Sequence, residues 1–413
     1  MNLPSGESLV RQLVAGQRYF EEHFGIRCEE IWIPDVFGYP GTLPQIFRAA
    51  GCDRFLTQKL SWNKQNRFPH HSFTWEGIDG STVVAHFPPV DTYNSELSAR
   101  ELTRAAKNFS DAAWSDHSLV PFGYGDGGGG PTAEMLERAR LLADTSGAPS
   151  LGIDPPAAFF ELLEEELEAP GTPRWRGELY FEMHRGTFTT QARTKVGNRR
   201  CEGLLREAEL WDAGGIDESQ ALELDRLWKR VLTQQFHDII PGSSIAWVHQ
   251  DAEAEHRAVA ERLEQIIAST LARYAGPAIL VANAATHDRR EVLESGVLGV
   301  DHLADLPAEH IQTLSDGSIA ATVAVPGMGV AAFDVEPADD AVRVGPLGMS
   351  NSSLSVELDR AGNITSVRDL RVGREVLPEG GRGAVLTLAP DHPVEYRSEE
   401  RRVGKRVDRG GRR

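Results

Sequence analysis

Hydrophobic residues in the first 150 positions follow two alternating spacings, one typical of helices and the other of buried strands. Apolar side chains recur every three or four residues up to about Phe24, and the same spacing predicts helices at residues 43–50, at 97–109 and from Pro131. Short apolar runs predict strands at residues 31–33, 54–58, 82–87 and 118–122. Strands that alternate with helices in this way predict strand–helix–strand units and a parallel sheet.

The pattern changes twice further along the chain. Helical spacing predicts helices at residues 157–168, 184–211, 222–236 and 252–274, a set typical of a three-helix bundle. From residue 278 short apolar runs are separated by Gly, Pro, Asp and Asn, which is typical of a β-sandwich. These runs predict strands at residues 278–282, 320–325, 330–335, 354–358 and 385–388. We therefore expect a multidomain chain with α/β, helical and β-rich parts.

The composition is typical of a globular protein and argues against some classes of binding partner. The chain has 413 residues, of which 40% are hydrophobic and 25% charged, values typical of two or three folded domains. Its net charge of -18 disfavours nucleic acid as a partner, because binding to phosphates needs a basic surface. No apolar run is long enough to span a membrane, and no secretory signal is visible. Three isolated cysteines argue against disulfides and predict a cytoplasmic location.

The last residues differ from the rest of the chain. Residues 398–413 contain seven basic and three acidic side chains and lack apolar periodicity. We interpret this basic tail as disordered and leave open whether it is native sequence; a functional basic arm is the alternative.

Polar side chains follow several of the predicted strands at the point where each strand ends. They are Asp35, Gln58, Lys59, Asp91, Tyr93, Asn94 and Asp126. In parallel α/β folds the carboxyl ends of strands share one face, where ligands bind. The sequence therefore predicts one pocket lined by these groups, although polar turns are also common for purely structural reasons.

Asp35 and His237 stand out by their local sequence. Asp35 follows an apolar strand and Pro34 in WIPDVFGY, a setting that suits a nucleophile or a metal ligand; a turn or capping aspartate is the alternative. His237 precedes the break at Pro241 and Gly242, where its imidazole can face a metal with Asp238 as a supporting partner. A histidine buried for structural reasons is the alternative there.

Asp126 lies in a glycine-rich segment, GYGDGGGGP at residues 123–131. The segment contains the pattern GxGxxG, so a dinucleotide site has to be considered. A carboxylate beside a pyrophosphate would be repulsive, and the alternative is that the glycines give a substrate access to Asp126 as a general acid. Two further patterns carry weaker signals: His70 and His71 are expected in a turn, and the HxD at His249 on a solvated helix face.

Six stretches taken together resemble glycoside hydrolase family 38, the class II α-mannosidases, and within it the cytosolic and bacterial branch. They are WIPDVFGYPGTLPQIFRAAGCDRFLTQKLSWN (32–63), FPHHSFTWEGIDGSTVVAHFPPVDTYN (68–94), LVPFGYGDGGGGPTAEMLER (119–138), GELYFEMHRGTFTTQARTK (177–195), REAELW (206–211) and LTQQFHDIIPGSS (232–244). The resemblance implies part of a (β/α)7 barrel at residues 1–155, a three-helix middle domain at 156–275, and an incomplete β-rich domain at 276–397, followed by the basic tail.

The resemblance also implies roles for individual residues. Asp35 matches the catalytic nucleophile, which also binds zinc, and His237 matches a zinc-binding histidine. Asp126 falls in the loop of the general acid/base. Sugar-contacting residues of the family fall at Lys59, Tyr93, Asn94 and His184.

The expected activity is retaining, zinc-dependent hydrolysis of terminal α-D-mannosyl residues in oligosaccharides. Zinc suits ligation by oxygen and imidazole, with Co or Mn as conceivable substitutes. The family's other two zinc ligands form an HxD that we expect upstream of residue 1, so we interpret the chain as truncated at both ends. A catalytically dead carbohydrate-binding remnant and an NAD(P)-dependent oxidoreductase are the alternatives. No membrane partner is expected, and self-association stays open.

Overall fold

The computed structural model describes residues 1–146, 149–213, 218–274, 280–294, 311–332, 335–336, 340 and 342–387. These residues fall into two compact units. The first unit contains the described residues up to 206 and residues 218–264, and the second contains residues 207–213 and 265–387. None of the helices in these ranges combines the length and the apolar character that a membrane span requires.

Helices dominate the first unit, and strands the second. The described helices are α1 (Gly6–Phe24), α2 (Leu43–Ala49), α3 (Ala99–Asn108), α4 (Ala133–Leu142), α5 (Pro156–Leu167), α6 (Ala192–Asp212), α7 (Glu218–Thr233) and α8 (Ala246–Ala272), with short 3-10 helices at Lys59–Trp62 and Arg185–Phe188. The strands of the first unit are β1 (Glu30–Trp32), β2 (Arg54–Leu56), β3 (Ser72–Glu76), β4 (Thr82–His86) and β5 (Arg174–Arg176).

The sheet of the first unit is mixed, which corrects the prediction of a parallel sheet. Its strand order is β1-β2-β4-β3-β5. The pairs β1–β2, β2–β4 and β3–β5 are parallel, whereas β3 and β4 are antiparallel. A five-residue connection, Gly77 to Ser81, joins β3 to β4, and a connection that short can only form a hairpin, because a parallel pair needs a crossover. The apolar pattern does not predict β3 and therefore does not predict the hairpin.

Buried aromatic side chains pack this sheet against α2. The ring of Phe55 lies 5.0 Å from that of Trp75 and 5.2 Å from that of Tyr39, and none of the three is exposed to solvent. Phe47 of α2 packs on the same cluster, with its ring 5.6 Å from that of Phe55. Since a fully buried large apolar side chain contributes roughly 1.5–3 kcal/mol, this cluster stabilises the packing of β2 and β3 against α2.

The predicted helices of this unit are largely confirmed, but the start of one helix and one predicted strand need correction. A helix was predicted from residue 184, but α6 begins at Ala192, and His184 has a left-handed backbone with φ of 57°. A strand was predicted at residues 118–122, where only one isolated bridge, Ser95 to Phe122, is present. The Leu119 N–H donates instead to His86 Nε2 at 3.2 Å, and Pro121 has no N–H, so no ladder can form.

The second unit consists mainly of antiparallel strands, as the sequence predicts for this part. They are β6 (Leu280–Asn283), β7 (Arg289–Glu294), β8 (Ile311–Thr313), β9 (Ile319–Val325), β10 (Gly329–Ala332), β11 (Val335–Glu336), β12 (Arg343–Gly345), β13 (Gly348–Ser350), β14 (Leu354–Leu358), β15 (Ile364–Asp369) and β16 (Arg374–Glu375). Strands β12 to β16 form a meander in sequence order. The strand predicted at 385–388 is not found over residues 385–387. Leu388 and the basic tail lie outside the described residues.

Candidate active site

Two adjacent parallel strands bring Asp35 and Lys59 to the same edge of the sheet. Strands β1 and β2 pair in register from Glu30 and Arg54 onward, and Ile33 N–H extends the ladder by donating to Leu56 O at 3.0 Å. The Tyr39 hydroxyl then donates to Ile33 O at 2.9 Å and holds the turn that carries Asp35. Asp35 is therefore fixed by the backbone of the sheet.

Lys59 is a buried cation that faces the Asp35 carboxylate. Its side chain is 1% exposed, and its ammonium forms an ion pair with Asp35 Oδ1. Two aromatic rings cover the remaining surface of the ammonium, with Nζ 3.6 Å from the ring centre of Trp62 and 5.4 Å from that of Phe37. The Lys59 ammonium is therefore buried between these rings and the carboxylate of Asp35, whose own side chain is 20% exposed.

One tyrosine hydroxyl links Asp35 to Asp126. Tyr93 Oη lies 3.2 Å from Asp35 Oδ2 and 3.3 Å from Asp126 Oδ1. Burial, followed by the negative charges of these two aspartates, raises the pKa of Tyr93 well above its usual range. The phenol is therefore a hydrogen-bond donor throughout the physiological pH range, and the structure brings the two carboxylates predicted from sequence into one site.

Asp126, in the glycine-rich loop, has a second contact, with the side chain of Asn94. Asn94 Nδ2 donates to Asp126 Oδ2 at 3.3 Å, while Asn94 Oδ1 accepts the Gly125 N–H at 2.9 Å. The Tyr124 N–H is also occupied, since it donates to Gly130 O at 3.0 Å. These backbone amides cannot cradle a pyrophosphate as a dinucleotide fingerprint does, so the loop geometry disfavours the cofactor interpretation.

His237 reaches the site from the loop that follows α7. Its Nε2 lies 3.9 Å from Asp35 Oδ2 and 3.7 Å from Asp238 Oδ2. Asp238 therefore faces the same imidazole nitrogen as Asp35 and not Nδ1, where a supporting partner of a metal ligand is usually found. Ser243 Oγ fixes the other Asp238 oxygen with a hydrogen bond of 3.0 Å.

His184 adjoins the site through the aromatic rings around Lys59. Its ring lies 4.8 Å from the ring of Phe37 and 6.4 Å from that of Trp62, and the residue is 5% exposed. Trp62 and Phe37 were not among the residues predicted to form the site. The signal for Trp62 was its position three residues after Lys59, which places both on one turn of 3-10 helix.

Asp35 and His237 present donor atoms of the kinds that zinc binds. Zinc binds carboxylate oxygen and imidazole nitrogen at about 2.0–2.2 Å, so the 3.9 Å between Asp35 Oδ2 and His237 Nε2 is a distance that one ion can bridge. Within the ranges that the structure describes, no three or more His, Cys, Asp or Glu side chains gather as a metal site. Asp35 and His237 are therefore the two residues here that could hold the metal.

The histidines of the two weaker patterns make contacts that fit a role in stabilising the fold. His70 and His71 lie in the loop before β3, and the Asp111 carboxylate accepts the His71 N–H at 2.6 Å and contacts His70 Nδ1 at 3.3 Å. The prediction of a solvated face at His249 is wrong, because its side chain is 2% exposed and contacts Thr194 Oγ1 at 3.4 Å. Neither pattern joins the site at Asp35.

The chain matches models of two protein domains and several curated proteins. Residues 1–178 match the N-terminal domain of glycosyl hydrolases family 38, and residues 182–273 match the alpha mannosidase middle domain. Over 96% of its length the chain is 38% identical to Alpha-mannosidase 2C1 of Homo sapiens, and over 60% it is 42% identical to Alpha-mannosidase of Saccharomyces cerevisiae. It spans only 38% and 24% of these two relatives.

A solved structure shares the fold. The crystal structure of an alpha-mannosidase from Enterococcus faecalis superposes with a TM-score of 0.63 and covers 90% of this chain and 51% of its own. The two sequences are 15% identical, so this likeness concerns the fold alone.

Proposed function

Because the chain belongs to glycosyl hydrolase family 38, we propose that it hydrolyses terminal α-D-mannosyl residues of oligosaccharides with retention of configuration. The observation that carries the proposal is the Tyr93 hydroxyl, which contacts both Asp35 and Asp126. One hydroxyl between two carboxylates is compatible with the spacing of roughly 5–5.5 Å between the acids of retaining glycosidases. Inverting enzymes need a wider gap to admit water between substrate and base.

In the proposed reaction Asp35 is the nucleophile. Its carboxylate attacks the anomeric carbon and forms a glycosyl ester, while Asp126 donates its proton to the leaving oxygen. Asp126 then takes a proton from water, which attacks the same carbon and releases mannose and free Asp35. Lys59 pairs with the Asp35 carboxylate and orients it for the attack, and the Trp62 ring lies against the Lys59 ammonium. We assign Asn94 to the orientation of Asp126, and His184 to contact with the sugar.

We further propose that Asp35 and His237 hold a zinc ion, with Asp238 beside them. Zinc supplies Lewis-acid polarisation of sugar hydroxyls when it is bound. Two protein ligands bind zinc far more weakly than four, so the affinity of this chain for the metal is part of the test.

The finer organisation of the chain is proposed on the same basis. Residues 1–155 are assigned to part of a (β/α) barrel, 156–275 to a helical-bundle middle domain and 276–397 to a β-rich domain. A cytoplasmic location and an α-mannoside oligosaccharide as the partner belong to the same proposal, which rests on the family and on the three free cysteines.

The activity is tested with an aryl α-mannoside and purified full chain. Asp35→Asn is expected to abolish hydrolysis, and Asp126→Asn to slow it by about 10²–10⁴-fold. Asp116→Asn serves as the matched control, because Asp116 is an exposed aspartate and the contacts of Asp35 are with other residues, Lys59, Tyr93 and His237. NMR of the first-formed product is expected to show the α anomer. Saturable mannoside binding by a chain that never hydrolyses it would favour the carbohydrate-binding alternative.

A further inference from the structure

The loop that carries His237 is anchored on both sides of that residue. It comprises residues 234–245 between α7 and α8. Gln235 provides the anchor before His237, and the carbonyl of Ile240 provides the anchor after it. Both anchors are hydrogen bonds to residues of helix α6, and that helix contributes no residue to the site itself.

The first anchor is a buried amide network. Gln235 Nε2 donates to Asn198 Oδ1 at 2.9 Å and to Glu202 Oε1 at 3.1 Å. Asn198 is 1% exposed and Glu202 5%. Ser8 Oγ also donates to Glu202 Oε1, at 2.6 Å, and so ties α1 to the same point. Gln235 Oε1 is buried without a hydrogen-bond partner among the described residues. The bonds of Nε2 nevertheless restrict the motion of Gln235, because breaking them would leave further buried polar groups unpaired.

The second anchor is a lysine that binds backbone carbonyls. Lys195 Nζ donates to Ile240 O at 2.9 Å and to Thr190 O at 2.5 Å, and among the described residues no carboxylate pairs with it. Burial lowers the pKa of its ammonium to about 8. Gly242, at φ of 86°, packs so closely that a Cβ there would lie 2.5 Å from Thr190 Cγ2. Lys195 of α6 thus ties the loop to the helix, and Gly242 packs tightly against the segment that precedes α6.

The residues that form these anchors share one face of α6. Lys195, Asn198 and Glu202 are spaced by three and four positions, which aligns them along the helix. We infer that this face of α6, here called the anchoring face, fixes the position of the His237 imidazole relative to Asp35. Lys195, Asn198 and Glu202 are then positioning residues that act through the loop. The catalytic consequence of this inference rests on the proposed function, whereas the geometric part does not.

The test compares Lys195→Met with Arg193→Met in the full chain. Arg193 lies on α6 with an 87% exposed side chain, so it controls for loss of a cation from the same helix. NMR of protein labelled with ¹⁵N-histidine reports on the imidazole of His237, whose signals are assigned by their loss in His237→Gln. We expect Lys195→Met to shift or broaden these signals and to weaken Zn²⁺ binding by at least tenfold. Arg193→Met leaves both unchanged, and Lys195→Arg restores the signals because it keeps a cationic donor.

Further readouts separate this inference from the proposed function. If the parent chain neither binds Zn²⁺ nor hydrolyses mannoside, the proposed function fails, while the imidazole signals still decide whether α6 positions His237. If Lys195→Met does not fold, Asn198→Ala replaces it, since that change removes only an acceptor of Gln235. Folded Lys195→Met or Asn198→Ala with His237 signals identical to the parent would overturn the inference.

Discussion

Gly125 occupies a position where even one added methyl group disturbs the site. A Cβ there would overlap Asn94 Oδ1, the atom that accepts the Gly125 N–H. We expect Gly125→Ala to displace Asn94, to release its contact with Asp126 and to lower aryl mannoside turnover at least tenfold. The melting temperature is expected to stay nearly constant, because Gly125 lies in an exposed loop.

Gly128 provides the matched control for that substitution in the same loop. A Cβ at Gly128 would meet nothing within 4 Å, and its φ is not positive. Gly128→Ala is therefore expected to retain turnover. Equal losses in the two variants would mean that loop flexibility matters, and not the fit against Asn94.

The sequence predicts which residues lie together where the chain itself fixes the geometry, whereas the roles of these residues stay predictions. Asp35, Lys59 and Tyr93 meet because each follows a strand of one sheet, and strand ends can be read from apolar runs. The burial of His249 was missed, since it depends on α6 packing against α8, and no local pattern reports that contact. The aromatic rings around Lys59 were not predicted for a similar reason, because Phe37 follows β1 whereas Lys59 follows β2.

Helix α6 contains two glycines whose replacement should have opposite effects. A Cβ at Gly203 would meet nothing within 4 Å, and alanine is intrinsically better than glycine in a helix by about 0.8–1.0 kcal/mol. A Cβ at Gly197 would lie 2.8 Å from Cβ of His256 on α8, so alanine there would force the two helices apart. Denaturant unfolding is expected to show a higher free energy of unfolding for Gly203→Ala and a lower one for Gly197→Ala.

The two substitutions check each other, since they share a helix and a chemical change. Stabilisation by Gly197→Ala would indicate that α6 and α8 separate easily at that point. Destabilisation by Gly203→Ala would contradict the open surroundings of that residue.

Secondary-structure elements were predicted well when their own residues determine them and poorly when neighbours do. Helix α1 is confirmed, and its ends carry local signals: Ser5 caps the first turn and Gly25 adopts the left-handed backbone. The strand expected at 118–122 fails because His86, on β4, takes the amide that a ladder would need. Strand β3 was missed although Phe73 and Trp75 alternate with polar residues, since two histidines and a proline precede it.

Acid is expected to destabilise the molecule as a whole through its buried histidines. Burial lowers the pKa of His86 to about 3 and that of His71 to about 4, and it lowers the pKa of His256 as well. The unfolded chain takes up these protons near pH 6.5, whereas the folded chain does not. The free energy of unfolding therefore falls as the pH drops below about 6.5, by up to about 1.4 kcal/mol per pH unit for each histidine.

Urea unfolding between pH 7.5 and 4.5 measures this dependence. His86→Phe removes one titrating group and is expected to flatten the slope, and His23→Phe, at an exposed histidine on α1, controls for the same chemical change. Slopes that are the same in the parent and in His86→Phe would contradict the assigned cause.

Composition and charge predict a globular molecule with several folded parts, but not the boundaries between its domains. Globular composition agrees with the two compact units, and the change from helical to β-rich texture agrees with the strands from Leu280 onward. The domain boundaries at residues 155, 275 and 397 and the question of self-association stay predictions. Such limits depend on which surfaces pack together, and apolar periodicity does not specify the partner of a surface.

The position of Tyr93 has a consequence for the order of events in the proposed reaction. Its hydroxyl has a single proton and two acceptors, so it can donate fully to only one aspartate at a time. Before the attack Asp35 carries the negative charge, and after the glycosyl ester forms the charge resides on Asp126. A hydrogen bond to an ionised carboxylate is stronger than one to a neutral carboxyl group. The phenol proton would thus turn from one aspartate to the other between the two half-reactions and back again once mannose is released.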